Sequence, residues 1–87
     1  MGWTLKTFDD LKFVSKNLIT NPTATMDFGN GYGVEVERCL VGYNVVVLKN
    51  GEPTTKTYIP SKSLLKLTED EVTDTMKKVQ NFVKFTY

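Results

Sequence analysis

The spacing of apolar positions changes character twice along the chain. Over residues 7–18, Phe8, Leu11, Val14 and Leu18 recur every three to four positions, the period of a helix with a single apolar stripe. Thr7 and Asp10 stand in the S/T-x-x-D/E spacing that satisfies free N–H groups at a helix start. Asp9 and Asp10 precede Lys12 and Lys16, the order that suits the helix dipole. Pro22 stops continuation and biases Asn21 toward extended backbone. The pattern predicts an N-terminal helix over 7–18.

From Thr23 to Ile59 the period falls to two. Residues 24–28 alternate, and Gly29, Asn30 and Gly31 supply a tight turn. In a second strand, Tyr32, Val34, Val36, Arg38 and Leu40 share one face, and Gly33, Glu35, Glu37 and Cys39 share the other. Gly42 breaks that strand. A third runs over 43–49, and its Val45-Val46-Val47-Leu48 run, apolar on both faces, marks it as central. Asn50-Gly51 is a two-residue hairpin signal. The stretch 54–59 is polar, Thr-rich and flanked by Pro53 and Pro60, as suits an edge strand.

The helical period returns over 69–84. Thr68 and Glu71 form a capping box, with Leu67 and Val72 placed as a hydrophobic staple. Glu69, Asp70 and Glu71 lead while Lys77, Lys78 and Lys84 follow. Val72, Met76, Val79 and Val83, with Phe82 beside them, draw the buried stripe. The expected fold is therefore α+β, a single domain over 1–87. A four-stranded antiparallel meander is flanked by an N-terminal and a C-terminal helix on one face of the sheet (α-β-β-β-β-α).

Composition narrows the chemistry. Eighty-seven residues allow one modest core. There is no histidine, so the commonest general base and metal ligand is missing, and the one cysteine, Cys39, can form neither an internal disulfide nor a Cys–His pair. Ser and Thr have only Lys as a base, and no S-x-x-K motif occurs; Ser61-Lys62-Ser63 reads as loop. The expectation is a protein that is not an enzyme and needs no cofactor or metal. No signal peptide is legible at Met1 to Lys6, and Lys6 stands where a myristoylation pattern requires Ser or Thr. No apolar run is long enough to span a bilayer, and Pro22 disqualifies the sequon at Asn21. A cytoplasmic location, without membrane contact, is expected.

Each remaining cluster has a functional reading and a plainer one. The glycines from Gly29 to Gly33 evoke a phosphate cradle, but they lead into a strand carrying Glu35 and Glu37 rather than a helix N-terminus, so a hairpin turn is the better reading. Gly33 also marks a bulge or a place where something packs closely on the backbone. Glu35 and Glu37, with Asp27 on the neighbouring strand, could bind a cation or form a solvated outer face. With Asp74, which the needs of a helix start do not explain, they could imitate nucleic-acid phosphates toward a partner's basic groove. Trp3, Tyr43 and Tyr87 are either contact anchors for a partner or a dimer, or seals on a small core. Lys49, Lys56, Lys62 and Lys66, against Glu52 alone and with Tyr58 among them, could hold single-stranded nucleic acid. The single arginine and the net charge of +1 weigh against that reading.

The strand Phe28-Gly29-Asn30-Gly31-Tyr32-Gly33-Val34-Glu35-Val36, the hairpin Val47-Leu48-Lys49-Asn50-Gly51-Glu52 and the helix start Leu67-Thr68-Glu69-Asp70-Glu71-Val72 form a recurrent pattern over roughly residues 26–80. It resembles small uncharacterised accessory proteins encoded by tailed bacteriophages. The resemblance implies a non-enzymatic phage-type protein in the cytoplasm of a bacterial host cell. Such a protein binds a host or defence-system macromolecule, as an inhibitor for instance, and the resemblance carries over no catalytic residue. Asp27, Glu35, Glu37, Asp74 and Tyr43 are the candidate protein-binding residues. Lys49, Lys56, Tyr58, Lys62 and Lys66 are those of the nucleic-acid alternative. A nucleotide-binding homo-oligomer built on Gly29 to Gly33 is the third reading.

Overall fold

The sheet is a meander of four antiparallel strands in the order β1-β2-β3-β4: β1 Thr23–Asp27, β2 Tyr32–Arg38, β3 Tyr43–Lys49 and β4 Glu52–Pro53. One helix follows, α1 Glu69–Gln80. The computed structural model describes residues 5–15, 21–54, 59 and 64–82.

Register follows from the turns. Asn50 (φ 53°) and Gly51 (φ 84°) both take the left-handed conformation that a two-residue hairpin requires, which sets Lys49 opposite Glu52. Across the interior strands Val34 faces Val47 and Val36 faces Val45; β1 adds Ala24 beside Val36 and Met26 beside Val34. Val34 and Val36 are fully buried, and Ala24, Val45 and Val47 nearly so. This is the inner face. α1 lays Val72, Thr75, Met76 and Val79 on it, a stripe at i, i+3, i+4 and i+7. Thr75 is tolerated there because its hydroxyl donates to the Glu71 carbonyl at 2.9 Å. The capping box forms: Glu71 N–H donates to Thr68 Oγ1 at 3.2 Å and Thr68 N–H to Glu71 Oε1 at 2.8 Å. Leu67 and Val72, the two halves of the staple, are both buried in the same core cluster.

The expected N-terminal helix is not there. Residues 8–10 make one 3-10 turn, in which Thr7 and Asp10 do form their capping box. Leu11 then leaves at φ −78°, ψ 140°, and Val14 bridges Thr23 antiparallel. Residues 16–18 of the expected helix lie outside the described residues. Tertiary packing explains the outcome. The rings of Phe8 and Phe13 lie 5.7 Å apart, and both pack on Tyr43, at 4.9 and 5.8 Å. Residues five apart on an α-helix point about 140° away from each other, so a helix could not deliver both to one cluster. Arg38 closes it, its guanidinium 4.8 Å from the Phe13 ring centre.

Two smaller corrections concern strand ends. β2 stops at Arg38, so Leu40, expected on the face of Val34 and Val36, is fully exposed in the β2–β3 turn. The fourth strand covers Glu52–Pro53, ahead of the expected 54–59. Thr54 N–H still donates to Val47 O at 2.9 Å, Ile59 lies outside any strand, and residues 55–58 are outside the described residues. Lys84 and Val83 of the expected second helix also fall outside them, and α1 ends at Gln80.

Candidate interaction surface

Odd-numbered residues of β1 and β2 and even-numbered residues of β3 face away from α1. In cross-strand rows, this outer face reads Thr23–Glu37–Asn44, Thr25–Glu35–Val46 and Asp27–Gly33–Leu48–Pro53. Asp27, Glu35 and Glu37 therefore share one face. Glu37 accepts from Asn21 Nδ2 at 3.0 Å, and Asp27 Oδ1 accepts from Gly29 N–H at 3.0 Å in a local turn. Val46, 39% exposed, sits beside Glu35 as the apolar centre of the face. Among the described residues no group of three or more His, Cys, Asp or Glu is placed to hold a metal ion.

Asp74 does not join them. It is exposed on α1, which packs on the inner face, so the sheet stands between it and the other three acids. Tyr43 is half-buried in the Phe8–Phe13 cluster, and its N–H and C=O pair with Leu67 at 2.9 and 2.8 Å. It ties the approach to α1 to the first residue of β3, which is the plainer of its two readings.

The lysines separate as well. Lys49 ends β3, whereas Lys66 N–H donates to Asn44 Oδ1 at 3.1 Å at the strand's other end, about 17 Å away at the usual rise per residue. Lys56, Tyr58 and Lys62 lie outside the described residues, as do Trp3 and Tyr87. Lys66 itself takes a left-handed φ of 57° where the chain passes Gly42. A Cβ at Gly42 would stand 2.8 Å from the Lys66 carbonyl carbon.

Gly33 has the tighter packing role of the two. A Cβ there would stand 2.3 Å from the Met26 carbonyl oxygen, so β1 crosses β2 where only hydrogen fits. Its bare position leaves an open depression of about 430 Å³ between Asp27, Leu48, Asn50 and Gly51. The turn beside it lies against the C-terminal end of a helix, not a helix N-terminus. Asn30 Nδ2 donates to the carbonyls of Val79, Gln80 and Phe82 at 3.0, 3.2 and 3.2 Å, so the turn abuts the negative end of α1.

Cys39 is half-buried, with Sγ 3.8 Å from the Glu37 carbonyl oxygen. Burial pushes its thiol up, and the Glu37 charge and hydrogen bond add to this, the reverse of what a nucleophile needs. Sequence reading missed two features: the exposed Leu40, Val41 and Leu65, and the bonding pattern of the β1 edge. Loop position could have flagged the first; nothing short of register reveals the second.

No protein-family model, no curated protein and no solved structure matches this chain. What the geometry of the described residues defines is an α+β arrangement, with one helix packed on one face of a four-stranded antiparallel sheet. Among the described residues, no helix is long and apolar enough to cross a membrane.

Proposed function

We propose that this chain is a non-enzymatic binding protein, of the accessory kind its motifs resemble in tailed phages, and that its outer sheet face takes a protein partner with a basic, partly apolar surface. The observation that carries this reading is the outer face itself. α1 covers the opposite side, and among the described residues of the sheet this face carries Asp27, Glu35 and Glu37 and no cation, with the exposed Val46 directly beside Glu35. Carboxylates around an apolar centre steer a basic partner and reward its desolvation. Tyr43 and Asp74 drop out of the contact set, Tyr43 because it serves the core and Asp74 because it lies across the sheet.

The test is affinity capture from a bacterial host lysate with the wild-type chain and with the Glu35→Lys/Glu37→Lys double variant. One dominant protein retained by the first and lost by the second, more weakly held as salt rises, is the expected result. Equal capture by both, or no protein above background, overturns the reading.

A further inference from the structure

Main-chain bonding leaves β1 with an open edge. Thr23 exchanges both of its bonds with Val14, at 2.9 and 3.0 Å, on the side away from β2. The bonds to β2 come from the even positions: Arg38 N–H reaches Pro22 O and Phe28 N–H reaches Tyr32 O, each at 2.9 Å, at the two ends of the ladder. Thr25 and Asp27 share the phase of Thr23, so each directs one N–H and one C=O outward. Among the described residues, no main-chain bond reaches these four groups. Thr25 and Asp27 are exposed and Met26 is half-buried. Edge protection is sparse, since the stretch has no proline, lysine or bulge and Asp27 is its one charge, whereas β4 is two residues long and ends in Pro53.

We propose that this edge pairs with the same edge of a second copy, antiparallel about Met26, to form a symmetric dimer with a continuous eight-stranded sheet. In that register Thr25 of each copy lies opposite Asp27 of the other, which makes four N–H···O bonds and places no carboxylate opposite another. Met26 meets Met26 in the close, non-hydrogen-bonded position on the inner face, and Ala24 lies opposite the half-buried Phe28. Length selects the occupant. The open stretch ends at Val14 on one side and at the Gly29 turn on the other, so a second β1, leaving at its own Gly29, fits where a longer peptide strand would run into the Val14 segment. A net charge of +1 per chain sets little repulsion against the pairing. The dimer is independent of the outer-face partner and lengthens that face without covering it.

Sedimentation from micromolar to millimolar concentration should convert the 9.9 kDa chain to twice that mass. In a Cys39→Ser background, Met26→Cys should oxidise to a covalent dimer, because that position brings the two Cα atoms within disulfide range, whereas Glu52→Cys on the far edge should not. Thr25→Pro removes an N–H that bonds nothing among the described residues and should weaken self-association at least tenfold. Thr25→Asp, on the exposed face, sets carboxylates opposite Asp27 and should do the same. Adding Asp27→Lys to Thr25→Asp restores pairing only if these two residues face each other across the dimer. A chain monomeric throughout, self-association indifferent to Thr25→Pro and Thr25→Asp, or crosslinking at Glu52→Cys equal to that at Met26→Cys, overturns the proposal.

Discussion

Asn30, in the β1–β2 turn, donates its side-chain amide to the Val79 carbonyl near the end of α1, at 3.0 Å. Its Oδ1 meanwhile accepts from Tyr32 N–H at 3.0 Å. One side chain thus holds the turn closed and caps the helix at once, satisfying carbonyls that a helix end leaves without partners. Asn30→Ala should cost about 2 kcal/mol in urea unfolding, the scale of two or three lost hydrogen bonds. Asn30→Asp should cost more than Asn30→Ala, because it keeps the acceptor but brings a negative charge to the negative end of the dipole.

Gly33 and Gly51 separate two reasons for glycine. Gly33→Ala forces a Cβ against the Met26 carbonyl and should destabilise the fold by about 3 kcal/mol, or displace β1. Gly51→Ala meets open space but keeps a φ of 84°, and about 1 kcal/mol is the expected cost. Equal losses in chemical denaturation would show that close approach at Gly33 does not matter.

Phe13→Ala removes the ring that joins Phe8, Tyr43 and Arg38. For a half-buried aromatic the loss should be about 2 kcal/mol. Because the cluster anchors the N-terminal segment, hydrogen exchange at Val14 and Thr23 should rise more than at Val34. A segment that was helical on its own account would show no such preference.

The raised thiol of Cys39 makes stability depend on alkaline pH. The folded state favours the protonated form, so this contribution is complete below the ordinary thiol range. It is lost as pH rises through the higher folded value. Urea midpoints of the wild type should therefore fall relative to Cys39→Ser above about pH 8.5 and run parallel below it. Alkylation of native Cys39 at neutral pH should be slower than that of a free thiol.

Local pattern carried most of the sheet and all of the start of α1. Alternation placed Val34 and Val36 inside and Glu35 and Glu37 outside. Asn50-Gly51 set a register, and Thr68 with Glu71 marked a helix N-terminus, because each of these signals is satisfied by groups within a few residues. The same signals misled at residues 7–18. There the capping box formed over a single turn, and contacts to Tyr43, Thr73 and Gln80, far away in sequence, decided the rest. Phe8 N–H donates to Thr73 Oγ1 at 3.0 Å, and the Gln80 amide pairs with both main-chain groups of Lys6 at 2.7 and 2.8 Å. The candidate surface divides in the same way. The shared face of Glu35 and Glu37 is a matter of strand parity, which sequence expresses directly, while Asp27 joins it through the β1–β2 register. The exclusion of Asp74 and the core role of Tyr43 depend on which face α1 covers. The open N–H and C=O groups of Thr25 and Asp27 depend on the hydrogen-bond phase of β1. Parity is a property of one strand, whereas phase and coverage arise only when distant segments meet.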